Sequence, residues 1–178
     1  MSMTPITTLT YNYDFAKRLY RGNPAAFDEA WQGLIGMGEA FELVFDQAIA
    51  PVLQVIPEVT GFSWQDVHAV LPVYLVTDGE NLFAPLCLVA TSDVELMLHD
   101  LIWLLVRVNL ATGFPNPEER DRTLQAITAA VAERAGLALP DALATAELRL
   151  REKHGIEYTP SAWDLTARTA RSYLGIDN

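Results

Sequence analysis

Apolar residues recur at helical spacing from Phe27 onward. Phe27, Trp31 and Leu34 recur near the helical period, and Asn23 followed by Pro24 supplies a cap and a first helical residue. The pattern predicts a long first helix whose continuation over residues 41–56 ends at Pro57. Three glycines fall inside it, and we expect the helix to bend or break there: Gly33, Gly36 and Gly38.

A strand-like region follows the first helix. Residues 67–76 and 82–90 are rich in Val and Leu, and the segment 78–81 between them has the composition of a hairpin turn. We therefore predict a small antiparallel pair, with Pro72 and Pro85 at edge or bulge positions. The Thr- and Tyr-rich residues 4–13 predict either an edge strand or an extended arm.

Helix-start signals mark the second half of the chain. Ser92 with Glu95 has the pattern of a capping box, which predicts a central helix over 93–111, and Asn116 with Pro117 starts another. Further helices are expected over 141–154, ending at Gly155, and over 161–174. The sequence predicts an α+β domain over residues 1–178, mostly helical, with five or six helices and a small antiparallel sheet.

The composition and net charge of the chain make some classes of binding partner unfavourable. The chain has 178 residues, 51% hydrophobic and 20% charged, as expected of one globular domain. Its 12 basic and 23 acidic residues give a formal net charge of −11, which repels nucleic acid and anionic membranes. The densest basic stretch, 149–153, includes Glu152 and is typical of a solvated helix face. We expect no nucleic-acid partner.

The single cysteine and the longest apolar stretch indicate where in the cell the protein is expected and whether a reactive thiol is expected. Cys87 has no partner for an intrachain disulfide, and in an apolar run it is expected to be a small buried hydrophobe. No secretory signal pattern opens the chain. The apolar stretch 94–110 is interrupted by Glu95, His99, Asp100 and Arg107, too many for a membrane span, and is therefore predicted to be a buried helix. These features favour a cytoplasmic protein with no membrane partner.

The sequence His99-Asp100-Leu101-Ile102-Trp103 lies in this apolar helix, directly after a strand-like segment. This arrangement resembles the core of zincin-type metallopeptidases, whose active-site helix carries HExxH. In zincins two histidines one turn apart hold zinc, and the Glu is the general base. The resemblance implies that His99 is a metal ligand and Asp100 the catalytic base. Trp103 replaces the second ligand, and its indole has no lone pair for a metal, which implies a zincin-like scaffold that has lost catalysis.

A second interpretation of His99, which we favour, is a buried histidine that is hydrogen-bonded to a carboxylate or a carbonyl. Asp100 then faces solvent or pairs with Arg107 or another surface cation. The other two histidines, His68 and His154, have no spacing that predicts a shared metal site. We expect no cofactor, with zinc as the alternative.

The C-terminal segment carries aromatic residues near helical spacing. Trp163 and Tyr173 belong to one apolar face, which docks on the core or on a protein partner. The favoured hypothesis is a non-catalytic binding or interaction protein, with a protein partner or a second copy of the chain. The alternative hypothesis is a metal-dependent, peptidase-like hydrolase with an atypical ligand set.

Overall fold

Helices and one small sheet make up the computed structural model of the chain, which describes residues 4–64, 69–110, 114 and 116–176. The predicted α+β class is confirmed. In chain order the elements are β1 (Ile6–Thr10), α1 (Tyr13–Leu19), a 3-10 turn (Pro24–Ala26), α2 (Phe27–Thr60), β2 (Val70–Val76), β3 (Leu82–Phe83), β4 (Leu86–Val89), α3 (Val94–Leu110), α4 (Pro117–Arg134), α5 (Pro140–His154) and α6 (Ala170–Tyr173).

Among the residues that the structure describes, four strands form the sheet, in the order β1-β2-β4-β3. β1 and β4 both run parallel to β2, and only β3 is antiparallel to its neighbour β4. The predicted antiparallel pairing of 67–76 with 82–90 is therefore wrong. The two-residue strand β3 runs opposite to β2, and the chain turns again before β4. β4 therefore runs in the same direction as β2 and pairs with it from Val73↔Leu86 onward. The predicted N-terminal strand is confirmed.

Helix α2 is continuous from Phe27 to Thr60 and ends at Gly61, whose φ of 79° is left-handed. It passes through Pro57, so the predicted end at that residue is wrong. Proline has no N–H for the carbonyl four residues earlier, which here belongs to Leu53. The indole Nε1 of Trp64 donates to that carbonyl at 2.9 Å. A side chain from beyond the helix thus supplies the missing hydrogen bond.

Local caps start and end the later helices. Asn116 accepts from the backbone N–H of Glu118 at the start of α4, and α5 ends at left-handed Gly155; both predictions are confirmed. At α3, however, the carboxylate of Asp93 accepts from the N–H of Leu96 at 3.0 Å. The predicted cap by Ser92 is wrong, because Asp93 directly precedes the first helical residue and its side chain reaches the free N–H.

The last predicted helix is much shorter than expected. Only Ala170–Tyr173 is helical, while 161–169 forms turns. The carboxylate of Asp164 accepts from both the backbone N–H and the hydroxyl of Thr166, at 3.0 and 2.6 Å. Such local side-chain bonds compete with the helical hydrogen-bond pattern. The predicted helix over 161–174 is therefore wrong in its first two thirds.

Helix α3 lies at the centre of the hydrophobic core and contacts α2, α4, α5 and the strands β3 and β4. Its side chains include some of the largest fully buried groups of the protein, among them Leu101, Ile102 and Leu105. The prediction of a buried helix over this stretch is confirmed. Its central position also places His99 and Asp100 where α4, α5 and the sheet meet.

The stretch Pro24–Thr60 is long and apolar enough to cross a membrane by length and composition, with 33% of its most apolar window buried. The core helix of a soluble protein meets the same criterion. Within the described structure, α2 packs against α3, α4 and β2. The cytoplasmic location expected from the sequence stays a prediction.

Candidate ligand-binding cleft

A cleft of about 530 Å³ lies at the carboxyl ends of the parallel strands β2 and β4. Gly79, Glu80 and Asn81 follow β2 and form one wall, and Val89 with Thr91 stands at the end of β4. Helices α3, α4 and α5 form the other walls. The volume is in the range of small-molecule sites, and the carboxyl ends of parallel strands are where open α/β sheets bind ligands. This cleft is the candidate functional site.

His99 is buried at the floor of the cleft, with 2% of its surface exposed. Its Nδ1 lies 3.0 Å from Oδ1 of Asp100, and its Nε2 lies 3.0 Å from the side-chain amide of Gln125 on α4. Since a carboxylate only accepts, Nδ1 carries a proton and donates to Asp100. The structure places His99 as the favoured interpretation expects, held on one side by a carboxylate and on the other by an amide.

Asp100 ties three parts of the fold together. Besides His99, its carboxylate accepts from Nδ2 of Asn81 at 2.9 Å and from Nη1 of Arg149 on α5 at 3.1 Å. Asn81 in turn accepts from the backbone N–H of Val89 at 2.8 Å, which secures the loop after β2 to the end of β4. The surface cation beside Asp100 is thus Arg149, while Arg107 lies 4.9 Å from the ring centroid of Phe83.

A second charged cluster holds Lys153 at the edge of the cleft. The carboxylate of Asp121 is almost wholly buried and accepts from Lys153 Nζ at 2.7 Å, with Arg120 also at 2.7 Å and His154 at 3.2 Å. Burial raises the pKa of Asp121, but the hydrogen bonds from Arg120 and Lys153 outweigh it, so the pKa lies below its ordinary value. Asp121 is therefore a buried carboxylate that anchors α5 to α4.

Gln125 completes the wall on α4, with 2% of its surface exposed. Because Nδ1 of His99 carries the proton, its Nε2 accepts, and the side-chain amide of Gln125 donates to it with its N–H₂ group. Gln125 thus joins α4 to α3 at the wall of the cleft. The sequence analysis did not identify Gln125; its only signal is a polar residue beside Leu124 and Ile127 on the core face of α4.

The same residues do not fit a zinc ion. Both ring nitrogens of His99 are hydrogen-bonded, and Trp103 lines the cleft with an indole that cannot ligate a metal. Over residues 4–64, 69–110, 114 and 116–176, no three His, Cys, Asp or Glu side chains are grouped to hold a metal. His68 lies outside the described residues. The roles of His99 as ligand and Asp100 as base stay predictions.

Trp163 and Tyr173, the predicted partner-binding residues, stack on each other with ring centroids 5.1 Å apart and an interplanar angle of 8°. Both are half-buried and pack against the core, and the Tyr173 hydroxyl accepts from the N–H of Asp164 at 2.8 Å. Neither lines the cleft. Their binding of a partner stays a prediction, as does the formation of oligomers.

Cys87 lies in β4 and is fully buried. Burial raises the pKa of its thiol, which disfavours the reactive thiolate. The expectation that Cys87 is a small core hydrophobe is confirmed.

Comparison of the chain with protein-family models, with curated proteins and with solved structures found no match in any of the three.

Proposed function

We propose that this protein is a non-catalytic binding protein that takes a small molecule into the cleft at the carboxyl ends of β2 and β4. One observation carries the proposal: a cleft of about 530 Å³ at the carboxyl ends of β2 and β4 has the half-buried indole of Trp103 and the cationic side chains of Arg149 and Lys153 in its walls. A concave site of this size, with apolar and polar side chains in its walls, is typical of small-molecule binding. The surrounding polar groups are already held in place by Asp100.

The hydrogen bonds of Asp100 favour binding over catalysis. A general base must reach the proton that it removes, directly or through one water. The carboxylate of Asp100 already accepts from His99, Asn81 and Arg149, which come from three different parts of the fold. The Nε2 atom of His99 faces Gln125. Both groups therefore act as supports that shape the cleft.

The test is a binding screen by two-dimensional ¹H–¹⁵N NMR with a library of small acids, amines and neutral polar molecules. A ligand of the cleft will shift the side-chain amide of Gln125 and the indole N–H of Trp103 together, while the indole of Trp163 serves as an internal control. Assignment uses Gln125→Glu and Trp103→Phe. If every molecule that binds shifts residues outside the cleft only, or none binds at millimolar concentration, the proposal is wrong.

The metal-dependent hydrolase is the second candidate, and the His99–Asp100 contact of 3.0 Å favours it, because a carboxylate often orients a metal-ligating histidine in this way. Zinc would have to displace Gln125 from Nε2 of His99 and recruit further ligands. The measurement is the zinc content of untagged protein purified without chelator, beside His99→Ala. Near one zinc per chain, lost in the variant, supports the hydrolase; no zinc in either removes this candidate.

A further inference from the structure

We infer that the outward side of helix α2 is a docking surface for a basic amphipathic helix of a partner protein. The residues that line the cleft come from other elements, so this inference does not rest on the proposed function. We call this surface the outer face. Its central residues are all exposed and uncharged: Gly33, Gly36, Ala40, Leu43, Gln47, Ala50 and Gln54.

The outer face follows one side of the helix. Its central residues are alternately three and four positions apart, about 3.5 residues on average, which keeps them along one line. From Gly33 to Gln54 this line is about 32 Å long, because each helical residue adds about 1.5 Å. The outer face can therefore contact about three heptads of a second helix.

The outer face is apolar at its centre and along one border. Leu43, which is 71% exposed, is the most exposed large hydrophobic side chain in the described part of the chain. Met37, Val44 and Pro51 lie along the border and are half-buried. Only 33% of the most apolar window of this helix is buried, so the core covers a minor part of its apolar surface. Exposed apolar surfaces of this kind mark interaction sites.

Short side chains leave room beside Leu43. Apart from the backbone of the helix, a Cβ at Gly36 would meet no atom within 4 Å, and one at Gly33 would meet only the terminal methyl group of Met37, at 4.0 Å. Ala40 is almost as short. A leucine or an aromatic side chain of a partner helix can therefore enter the space next to Leu43, as knobs enter holes in paired helices.

The charged side chains of α2 are all negative. The helix contains no Lys or Arg, and its acidic residues are Asp28, Glu29, Glu39, Glu42, Asp46 and Glu58. Glu39 and Asp46 lie exposed along the border opposite Met37 and Val44, and neither makes a hydrogen bond or an ion pair within the described structure. A helix with Lys or Arg along one edge offers both carboxylates an opposite charge. The partner that complements this face is therefore basic.

A second copy of the chain and a membrane fit the outer face less well. Two outer faces packed together bring the same carboxylates into one interface, and each copy carries a net charge of −11. Anionic lipid head groups are repelled by the same charge. A basic helix is instead attracted by it.

The experiment compares three fluorescein-labelled peptides of about 21 residues, which is three heptads. The first is an amphipathic helix of Leu, Ala and Lys with a heptad pattern; the second has the same composition in an order without that pattern; the third carries Glu in place of Lys. Each is titrated with the full chain and followed by fluorescence anisotropy. The first should bind about 10-fold or more tightly than the others. Equal or tighter binding of the second or third, or no binding of the first, overturns the inference.

The apolar centre of the outer face is tested with Leu43→Gln, which removes the exposed hydrophobic side chain and keeps good helix propensity. It should weaken binding of the basic amphipathic peptide about 10-fold or more. Leu148→Gln, at a position that is 50% exposed on α5, is the matched control and should leave the affinity unchanged. Unchanged affinity in Leu43→Gln, or an equal loss in Leu148→Gln, overturns the inference once circular dichroism has verified both folds.

The acidic border is tested with the double variant Glu39→Lys and Asp46→Lys, which should also weaken binding of the basic peptide about 10-fold or more. Glu133→Lys with Glu152→Lys changes the net charge by the same amount at exposed positions on α4 and α5. If both double variants lose the same affinity, the peptide responds to the overall charge of the protein and the inference is wrong.

The other two occupants are tested without any peptide. Analytical ultracentrifugation measures the mass of the full chain in solution, and co-sedimentation measures its binding to vesicles of phosphatidylcholine and phosphatidylserine. We expect Leu43→Gln to change neither result. A dimer that Leu43→Gln dissociates would assign the outer face to a second copy, and vesicle binding that Leu43→Gln abolishes would assign it to a membrane. Either outcome overturns the inference.

Discussion

Nε2 of His99 lies 3.0 Å from the side-chain amide of Gln125, and this contact joins α3 to α4 through two side chains that are each 2% exposed. Neither polar group has access to bulk solvent, so each satisfies a hydrogen-bonding need of the other. Losing one partner of such a pair leaves the second buried and unpaired, which costs more than the bond itself contributes. The contact is therefore a stability element as well as a wall of the cleft.

We expect His99→Leu and Gln125→Leu each to lower the free energy of unfolding by about 1–3 kcal/mol, because each leaves its partner unpaired in the core. The double variant should lose less than the sum of the two, since it removes both polar groups together. Urea unfolding of the four proteins measures the coupling. Strict additivity would show that the two side chains do not depend on each other.

The indole of Trp64 should stabilise α2 by bonding to the carbonyl of Leu53, which Pro57 leaves without a helical donor. Trp64→Phe removes the donor and should lower the free energy of unfolding by about 1–3 kcal/mol. In a Pro57→Ala background the helix itself supplies an N–H to Leu53, so the loss should be smaller. Pro51→Ala, in the same helix, is the control and should leave the loss unchanged. Equal losses in all three backgrounds would contradict this role of Trp64.

Two glycines of α2 should respond to alanine in opposite directions. A Cβ at Gly36 meets nothing within 4 Å, so Gly36→Ala should raise the free energy of unfolding by up to about 1 kcal/mol through helix propensity. A Cβ at Gly38 would lie 2.5 Å from the Tyr11 hydroxyl and 2.8 Å from Cδ1 of Leu75. Gly38→Ala should therefore lower it by about 1–3 kcal/mol. Thermal and urea unfolding of both variants measure the difference, and a stabilising Gly38→Ala would refute the close packing.

Asp121 should contribute stability that depends on pH. Its pKa is lowered in the folded protein, so the folded state binds fewer protons there than the unfolded state. The contribution is complete above the unfolded pKa of about 3.9 and is lost as pH falls through the lower, folded pKa. Asp121→Asn should thus be less stable than the natural protein at pH 7, and the gap should shrink below about pH 4. Urea unfolding from pH 3 to 7 measures the gap, with Asp46→Asn, at an exposed position, as the control. A gap that stays constant across this range would contradict the role of Asp121.

Features that depend on neighbouring residues could be predicted from the sequence. Asn116 caps α4 and Gly155 ends α5, because a cap or a left-handed residue acts within one helical turn. The buried character of α3 was evident from its composition, and so was the α+β class. It could also be predicted that His99 is buried and bonded to a carboxylate, since Asp100 is the next residue in the chain.

Only the tertiary structure decided how distant segments meet. β4 pairs parallel with β2 because β3 reverses the chain once more, and the division of residues 82–90 into two strands depends on how they pack in the sheet. α2 continues through Pro57 because Trp64 lies beside it in the folded chain.

The cleft likewise combines features that the sequence predicts with features that only the tertiary structure decides. The sequence by itself determined that an apolar helix carries a His-Asp pair within an acidic, mostly helical domain. The partners of that pair, Gln125 and Arg149, stand 26 residues from His99 and 49 from Asp100. Hydrogen bonds over such separations depend on how α3, α4 and α5 pack, which local propensity and periodicity do not encode. The arrangement of side chains around the cleft was therefore decided by tertiary packing.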